Sequence, residues 1–310
     1  MKNIIAYSLY EQKNEMFDRS GHDSFSKEQF RYWTNIPFIY IVNNLYFNDF
    51  KTKYYVHNDI KNHPLFNILD KLSELENFEL DFIDKEQVET TPSHWRLKGL
   101  WDGDICFCRD TDSVMTPIEA KCMKYFIESD YWINNIRGIW QHNFDGAVLM
   151  AGLSGFKSNI LKNELPLLNS FDDYLEFCIR SYGTGWGCDQ NSLIDFFVTS
   201  RTNRITSKIL DFYIQPDFKR VNRVFWNPVK KSEFYNIDSF NESKVNHINL
   251  DYINKDILIL SNSVTGWLGQ PVDVRGDKLN VLLSYDNDKC KQIKSILLSD
   301  NTLKNFYRIQ

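Results

Sequence analysis

The sequence predicts an α/β fold, an open sheet with helices packed on it, and three observations support that prediction. Short apolar runs typical of strands alternate with segments of helical periodicity from the N-terminus onward. Residues 105–108, Ile-Cys-Phe-Cys, show no polar alternation, which indicates a strand covered on both faces. Soon after them, Thr116, Pro117 and Glu119 match a capping box with proline at the first helical position, so a helix follows the strand.

Elements of alternating type precede this strand. They are a strand at residues 4–9, a loop at 11–30, a helix at 37–48, a strand at 53–57, a helix that begins at Pro64 and a strand at 78–83. The order β-α-β-α-β is typical of the start of a doubly wound sheet. A further helix is expected from Glu89 to Leu100, and it carries Trp95 and Arg96.

The chain after the strand continues with a mixture of helices and strands. They are a strand and a turn within residues 131–140, a strand at 147–150, helices at 170–181 and 191–200, strands at 256–260 and 279–285, and a helix at 289–298. The composition changes near residue 201, where Lys, Arg, Asn and Ser surround isolated aromatic residues. The sequence therefore predicts a core at residues 1–200 and a C-terminal α+β extension at 201–310, packed on that core.

Composition places the chain among globular proteins. Its 310 residues are enough for one large domain, 43% of them are hydrophobic, and 25% are charged. The net charge is −5, the sequence pI is about 5.7, and no sustained basic patch appears. Nucleic acid is therefore not an expected partner.

Cysteine usage and hydropathy predict where the protein works. The six cysteines include no C-x-x-C pair, so we expect neither a structural zinc site nor a disulfide framework. No apolar stretch suits a signal peptide, and no apolar run reaches the length of about 18 residues that a membrane span needs. These features predict a reduced, cytoplasmic protein without a membrane span.

Two carboxylates follow the buried strand, where open α/β sheets bind their ligands. Asp110 and Asp112 are two residues apart, a spacing that places both side chains on one face of extended backbone. Carboxylates this close repel each other unless a cation shares them, and Mg²⁺ or Mn²⁺ prefers such oxygen ligands. The alternative is a solvated acidic loop in which aspartates cap nearby amides.

The motifs around this pair resemble a group of GT-A-type glycosyltransferases found in large DNA viruses, algae and bacteria. The matching motifs are Trp-Arg-Leu at 95–97, Arg-Asp-Thr-Asp-Ser at 109–113, Asn-Ile-Arg at 135–137 with a following His142, and Gly-Leu-Ser-Gly at 152–155. The resemblance covers residues 4–197. Gly138 stands where the family pattern has Asp, and Ala151 replaces the first glycine of its Gly-Gly pair.

The resemblance implies a GT-A-like, Rossmann-like mixed sheet and a reaction. The reaction is transfer of a sugar from a nucleotide sugar, most readily a UDP-sugar, to a hydroxyl of a glycan or protein acceptor. It also implies that Asp110 and Asp112 hold Mn²⁺ or Mg²⁺. The family's late histidine ligand has no match, so the third ligand is either another group, such as Asp273, or water and substrate oxygens.

The same resemblance supplies the remaining candidate site residues. Contacts to the nucleotide sugar are expected from Tyr7, Ser8, Trp95, Arg96, Arg109, Asp110, Gly152 and Gly155. Catalytic or orienting roles are expected for Asp189 and Gln190, and contacts to sugar or acceptor for His142 and Trp186.

Each of these positions has a structural alternative. Tyr7 and Trp186 also suit a core, Asp189 also suits a helix cap, and Arg109 also suits an ion pair with a carboxylate. Arg96, one helix upstream of the strand, is favoured over Arg109 for the diphosphate.

Two functions of other classes also stay open. One is a sugar-nucleotide-binding protein without catalysis, in line with Gly138 and the missing histidine. The other is a different metal-dependent enzyme, such as a nucleotidyltransferase. A haloacid-type phosphohydrolase would carry its D-x-D after the first strand, so position 110 argues against it.

Overall fold

The fold is taken from a computed structural model of the chain. It describes residues 2–10, 32–83, 92–137, 149–164, 169–182, 188–194, 197, 208–213, 234–236 and 273–310. Its strands are β1 (Asn3–Leu9), β2 (Phe50–His57), β3 (Phe78–Ile83), β4 (Ile105–Arg109), β5 (Ile133–Arg137), β6 (Leu153–Lys157), β7 (Ile209–Tyr213) and β8 (Phe234–Asn236).

These strands form one mixed sheet in the order β3-β2-β1-β4-β6-β5-β7-β8. β6 runs antiparallel to both of its neighbours, and the other pairs are parallel. Helices cover both faces of this sheet, so the predicted mixed α/β sheet flanked by helices is confirmed.

Helices of the α and 3₁₀ type lie between these strands and after them. They are α1 (Ile36–Tyr46), a 3₁₀ helix (Asn58–Asn62), α2 (Phe66–Ser73), a 3₁₀ helix (Pro92–Lys98), α3 (Gly99–Asp102), α4 (Pro117–Glu128), α5 (Ser158–Glu164), α6 (Phe171–Tyr182), α7 (Cys188–Ile194), α8 (Asp277–Leu283), α9 (Asp288–Leu298) and α10 (Asn301–Tyr307). The predicted capping box of α4 is present, with Thr116 and Glu119 each accepting from the other's backbone N–H.

The sheet reverses its direction of growth beside β1. The chain passes from β1 to β2 and β3 on one side, and then returns to place β4 on the other side of β1. The ends of β1 and β4 therefore form a topological switch point, where ligands of open α/β sheets bind.

Side chains of β1 and β4 alternate between two apolar clusters, one on each face. Ile5, Tyr7 and Phe107 belong to the cluster that also contains α1, α4 and the C-terminal helices. Ala6 and Cys108 belong to the other, which contains Trp95 and parts of α6 and α7. Both faces are thus covered, as the unbroken apolar run of β4 predicted.

The structure corrects two predicted strands. Residues 279–285 lie mainly in helix α8, where Leu279, Leu282 and Leu283 form a buried helical stripe. A strand was predicted at residues 147–150, but Leu149 and Met150 lie before β6, the strand that begins at Leu153. The predicted strand at 256–260 lies outside the described residues.

The C-terminal part of the chain shares the sheet and the core of the N-terminal part. β7 pairs with β5, and α9 packs against α1 and α2. The Tyr307 hydroxyl donates to the Trp33 carbonyl at 2.7 Å, deep in the same cluster. The division at residue 200 stays a prediction.

Candidate active site

A tightly held turn at residues 110–113 follows β4. The Thr111 hydroxyl donates to the carbonyl of Ser8 at 2.8 Å, which ties the turn to the end of β1. The side-chain amide of Asn35 donates to the Asp112 carbonyl at 2.9 Å. Asn35 stands at the N-cap of α1 yet makes no cap hydrogen bond, and its Oδ1 accepts from the Thr34 hydroxyl at 3.2 Å instead. The Asp pair is therefore fixed by the ends of two other elements.

Asp110 turns towards solvent against a glycine. Its side chain is 43% exposed. Gly152, in the turn before β6, lies so close that a Cβ there would overlap the Asp110 carboxylate. A glycine is therefore required at this position for the carboxylate to keep its place.

Arg96 joins Asp110 to Asp189. One terminal nitrogen of its guanidinium pairs with Asp110 Oδ1, and the other donates to Asp189 Oδ2 at 2.7 Å. The Arg96 side chain is only 7% exposed. Burial disfavours its charged form, but Asp110 and Asp189 outweigh that effect and raise the pKa of Arg96. Three sequence-predicted site residues thus come together from three different elements.

Ser8 positions this arginine. Its hydroxyl accepts from the backbone N–H of Arg96 at 2.8 Å and donates to the Ser93 carbonyl. The first 3₁₀ turn after residue 91 is thereby held at the end of β1. Ser8 is buried, and both of these hydrogen bonds are made within the chain.

Arg109 turns to the opposite face of the sheet. Its side chain is buried and pairs with Glu119, the acid of the α4 capping box. Burial disfavours the arginine's charge, and Glu119 outweighs it, so the pKa of Arg109 is raised. Of the two roles open to Arg109, the structure shows the ion pair with a carboxylate, in line with the side-chain alternation of β4, and its contact to a nucleotide sugar stays a prediction.

Tyr7, Trp95 and Gly155 also pack in the interior of the protein. The Tyr7 ring is fully buried against Tyr54, and burial raises its pKa to about 12. The Trp95 ring is 1% exposed and packs edge-on to Tyr10. A Cβ at Gly155 would overlap the ring of Phe107, so this glycine admits a core side chain.

Of the remaining candidates, some lie in helix α7 and others lie outside the described residues. Asp189 lies in the first turn of α7, and its side chain is 10% exposed and committed to Arg96. Gln190 follows it and is partly buried. His142, Trp186 and Gly138 lie outside the described residues.

Asp110 and Asp112 are the residues that would hold a hard divalent cation at this end of the sheet. They lie in one turn, in which the Ser113 N–H donates to the Asp110 carbonyl, and Asp112 is buried. Both supply carboxylate oxygens, and the exposed side of Asp110 leaves room for water and phosphate oxygens, the usual partners of Mg²⁺. Within the described ranges, no group of three or more His, Cys, Asp or Glu side chains could hold a metal by itself. Within those ranges, such a cation would take its other ligands from substrate oxygens or water.

Sequence reasoning missed Asn35, and it left an ion pair open for Arg109 without identifying Glu119 as the partner. Asn35 carried one local signal, its position just before the apolar helix that begins with Ile36 and Pro37. The face that Arg109 takes follows from strand alternation, since Tyr7 and Arg109 pair across β1 and β4.

Comparisons with known proteins give a weak likeness in structure and none in sequence. No protein-family profile matches the chain, and no curated protein matches it. Among solved structures, the chain is similar to the crystal structure of residues 1–349 of S. aureus TarS, with 15% sequence identity and a TM-score of 0.36. The match covers 56% of this chain and 54% of that one, so the chain spans about half the length of the TarS structure. Function therefore rests on the chemistry of the site itself.

One further feature bears on the predicted partners. No helix in the part of the chain that the structure describes has the length and apolar character needed to cross a membrane.

Proposed function

We propose that the protein is a metal-dependent glycosyltransferase that moves a sugar from a nucleotide sugar, in particular a UDP-sugar, to a hydroxyl of a glycan or protein acceptor. The observation that carries the proposal is the junction of Arg96, Asp110 and Asp189 at the β1–β4 switch point. This junction supports the proposal because an arginine contacts two of the acids that the sequence predicted for the site.

The donor half of the site consists of Asp110, Asp112 and Arg96. The two aspartates would hold Mn²⁺ or Mg²⁺, which when bound supplies positive charge to the departing nucleoside diphosphate. Arg96 would donate to phosphate oxygens from the protein side, because its planar guanidinium suits them. Gly152 keeps the Asp110 carboxylate in place for this task.

The sugar and acceptor half begins at α7. Asp189 and Gln190 would orient the transferred sugar or the acceptor hydroxyl through hydrogen bonds to their oxygens and nitrogen. The Arg96–Asp189 pair fixes the direction of that carboxylate. His142 and Trp186 are proposed as further contacts to sugar or acceptor.

Ligand-dependent thermal stability tests the donor site. A panel of nucleoside diphosphates and sugar nucleotides is added with and without Mn²⁺, and a ligand that binds the folded form raises the midpoint by mass action. We expect a rise with UDP that requires Mn²⁺ and disappears in Asp112→Ala. Asp104→Asn is the matched control, because Asp104 lies at the opposite end of β4 and accepts from the Lys2 N–H.

Turnover separates the proposal from its rivals. Release of UDP from a UDP-sugar, by hydrolysis or by transfer to an added acceptor, is expected from the wild-type protein. Binding without any release would identify a non-catalytic sugar-nucleotide-binding protein. Formation of a sugar nucleotide from a nucleoside triphosphate would identify a nucleotidyltransferase. An Asp112→Ala variant with full turnover would contradict the metal role.

A further inference from the structure

Arg96 lies where segments bearing three carboxylates meet. It is paired with Asp110 and Asp189, and Asp112 is two residues beyond Asp110. The formal charge of these four groups is negative, and a bound divalent cation would bring it to neutrality. The guanidinium is thus a counterion that already occupies Asp110 and Asp189.

The arginine and the solvent approach Asp110 from different sides. The Arg96 side chain is 7% exposed and the Asp110 side chain is 43% exposed. Arg96 therefore contacts the carboxylate from the interior, while a ligand can reach it from outside. The Nε of Arg96 is buried and has no hydrogen-bond partner among the described residues.

We propose that Arg96 competes with the cation for Asp110, and that Asp189 retains the guanidinium when Asp110 takes the cation. The proposal rests on the proposed function, because it assumes that Asp110 and Asp112 bind a divalent ion. Arg96 is then a positioning residue that couples occupancy of the donor site to helix α7, the element that carries Asp189 and Gln190.

Removing the competitor should tighten cation binding to the ligand-free protein. We expect Arg96→Gln to bind Mn²⁺ about tenfold more tightly than wild type, which corresponds to about 1.4 kcal/mol. The dissociation constant is measured by electron paramagnetic resonance of free Mn²⁺, without donor or turnover. Equal or weaker Mn²⁺ binding by the folded variant would overturn the proposal.

Lys98→Gln is the matched control. Lys98 lies two residues further along the same 3₁₀ helix, and its Nζ contacts both carboxylate oxygens of Asp81 at 2.9 and 3.0 Å. The variant loses the same charge without touching Asp110. We expect its Mn²⁺ affinity to stay within about twofold of wild type. A gain equal to that of Arg96→Gln would show a general charge effect and overturn the proposal.

A double-mutant cycle tests the role of Asp189. In Asp189→Asn, the guanidinium keeps Asp110 as its charged partner, so Mn²⁺ should bind several-fold more weakly. In the Arg96→Gln background, the same change should have little further effect. An equal loss in both backgrounds would show that Asp189 acts through its own charge, and would contradict the coupling.

A measurement on the wild-type protein covers the case in which Arg96→Gln does not fold. Guanidinium Nε–Hε resonances are recorded by NMR while Mg²⁺ is added. The Arg96 signal, assigned by its loss in Arg96→Lys, should shift with Mg²⁺, and the signal of Arg109, paired with Glu119 in the interior, should not. No shift at saturating Mg²⁺ would overturn the exchange.

The outcomes separate the two proposals. If neither wild type nor Arg96→Gln binds Mn²⁺, both the metal site and the exchange fail. If wild type binds Mn²⁺ in a manner that Asp112→Ala abolishes, while Arg96→Gln binds no more tightly, the metal site stands and the exchange alone fails.

Discussion

At the scale of single residues, Gly152 decides whether Asp110 can keep its place. A Cβ at this position would overlap the Asp110 carboxylate, which is the mobile end of a partly exposed side chain. We expect Gly152→Ala to displace that carboxylate with a loss of stability below about 1 kcal/mol, because little of the core must move. Mn²⁺ affinity should fall at least about tenfold, measured by the same resonance assay.

Gly155→Ala is the control for this prediction, because its added methyl meets a different neighbour. It would overlap the buried Phe107 ring in the core, where overpacking costs about 1–3 kcal/mol. We expect a lower urea midpoint with Mn²⁺ affinity nearly unchanged below that midpoint. Gly152→Ala should therefore lose mainly Mn²⁺ affinity, and Gly155→Ala should lose mainly stability. A loss of Mn²⁺ binding in both variants would contradict this assignment.

The sequence identified candidate residues for the site but not the pairs they form. Asp110, Asp189 and Arg96 were each candidates, yet nothing local links residues 14 and 93 positions apart. Arg109 shows what strand periodicity could have added. It aligns with Tyr7 across β1 and β4, so both side chains face one cluster, and the neighbouring Ser8 and Asp110 face the other way.

At the scale of elements, the 3₁₀ helix of residues 92–98 depends on the end of β1. The Ser8 hydroxyl accepts from the Arg96 N–H, and both groups are buried. We expect Ser8→Ala to cost about 1–3 kcal/mol, because it leaves a buried N–H without a partner. Donor-dependent thermal stabilisation should fall as well, since Arg96 loses its anchor.

Ser284→Ala serves as the control for that variant. Its hydroxyl donates to the Val281 carbonyl on an exposed helix end. We therefore expect its loss to change stability by less than about 0.5 kcal/mol and to leave the response to ligand unchanged. If Ser8→Ala keeps the full UDP and Mn²⁺ response, the backbone anchor is not needed to place the arginine.

Element prediction failed where apolar runs were short. Leu279, Leu282 and Leu283 occupy one face of α8, but within seven residues the same apolar letters also suit a strand. The surrounding core favours the helix over a strand, because this stripe is buried in the cluster that contains α1 and α2. β3 and α4 were predicted well, because alternation of apolar and acidic residues marks the first and a capping box marks the second.

At the scale of the whole molecule, the C-terminal helices complete the core of the N-terminal sheet. Leu279, Ile293, Leu303 and Tyr307 are fully buried in the same cluster as α1. A protein that ends at residue 200 would expose these contacts. We expect it to lose cooperative urea unfolding and near-ultraviolet circular dichroism, and to bind a hydrophobic dye. A truncated protein with a native, cooperative transition would instead support an independent core at 1–200.

Stability of the whole molecule should also depend on pH through His63. Its ring stacks on Trp33 with centroids 4.2 Å apart, and its Nδ1 accepts from the Leu65 N–H at 3.2 Å, so the folded state holds the neutral ring. Burial lowers the pKa of His63 below its ordinary value of 6.5. As the pH falls below about 6.5, the unfolded chain therefore binds a proton before the folded one does. The free energy of unfolding should decline until the folded pKa is reached.

Urea titrations between about pH 5 and pH 7 measure this decline. His63→Phe keeps a flat ring against Trp33 and removes the titrating group, so its stability should change less with pH across that window. Glu79 does not interfere, because Lys53 and Lys51 outweigh burial and lower its pKa below 4.5, which places its effect at lower pH. A decline of unchanged slope in His63→Phe would assign the titration to another group and remove His63 from this role.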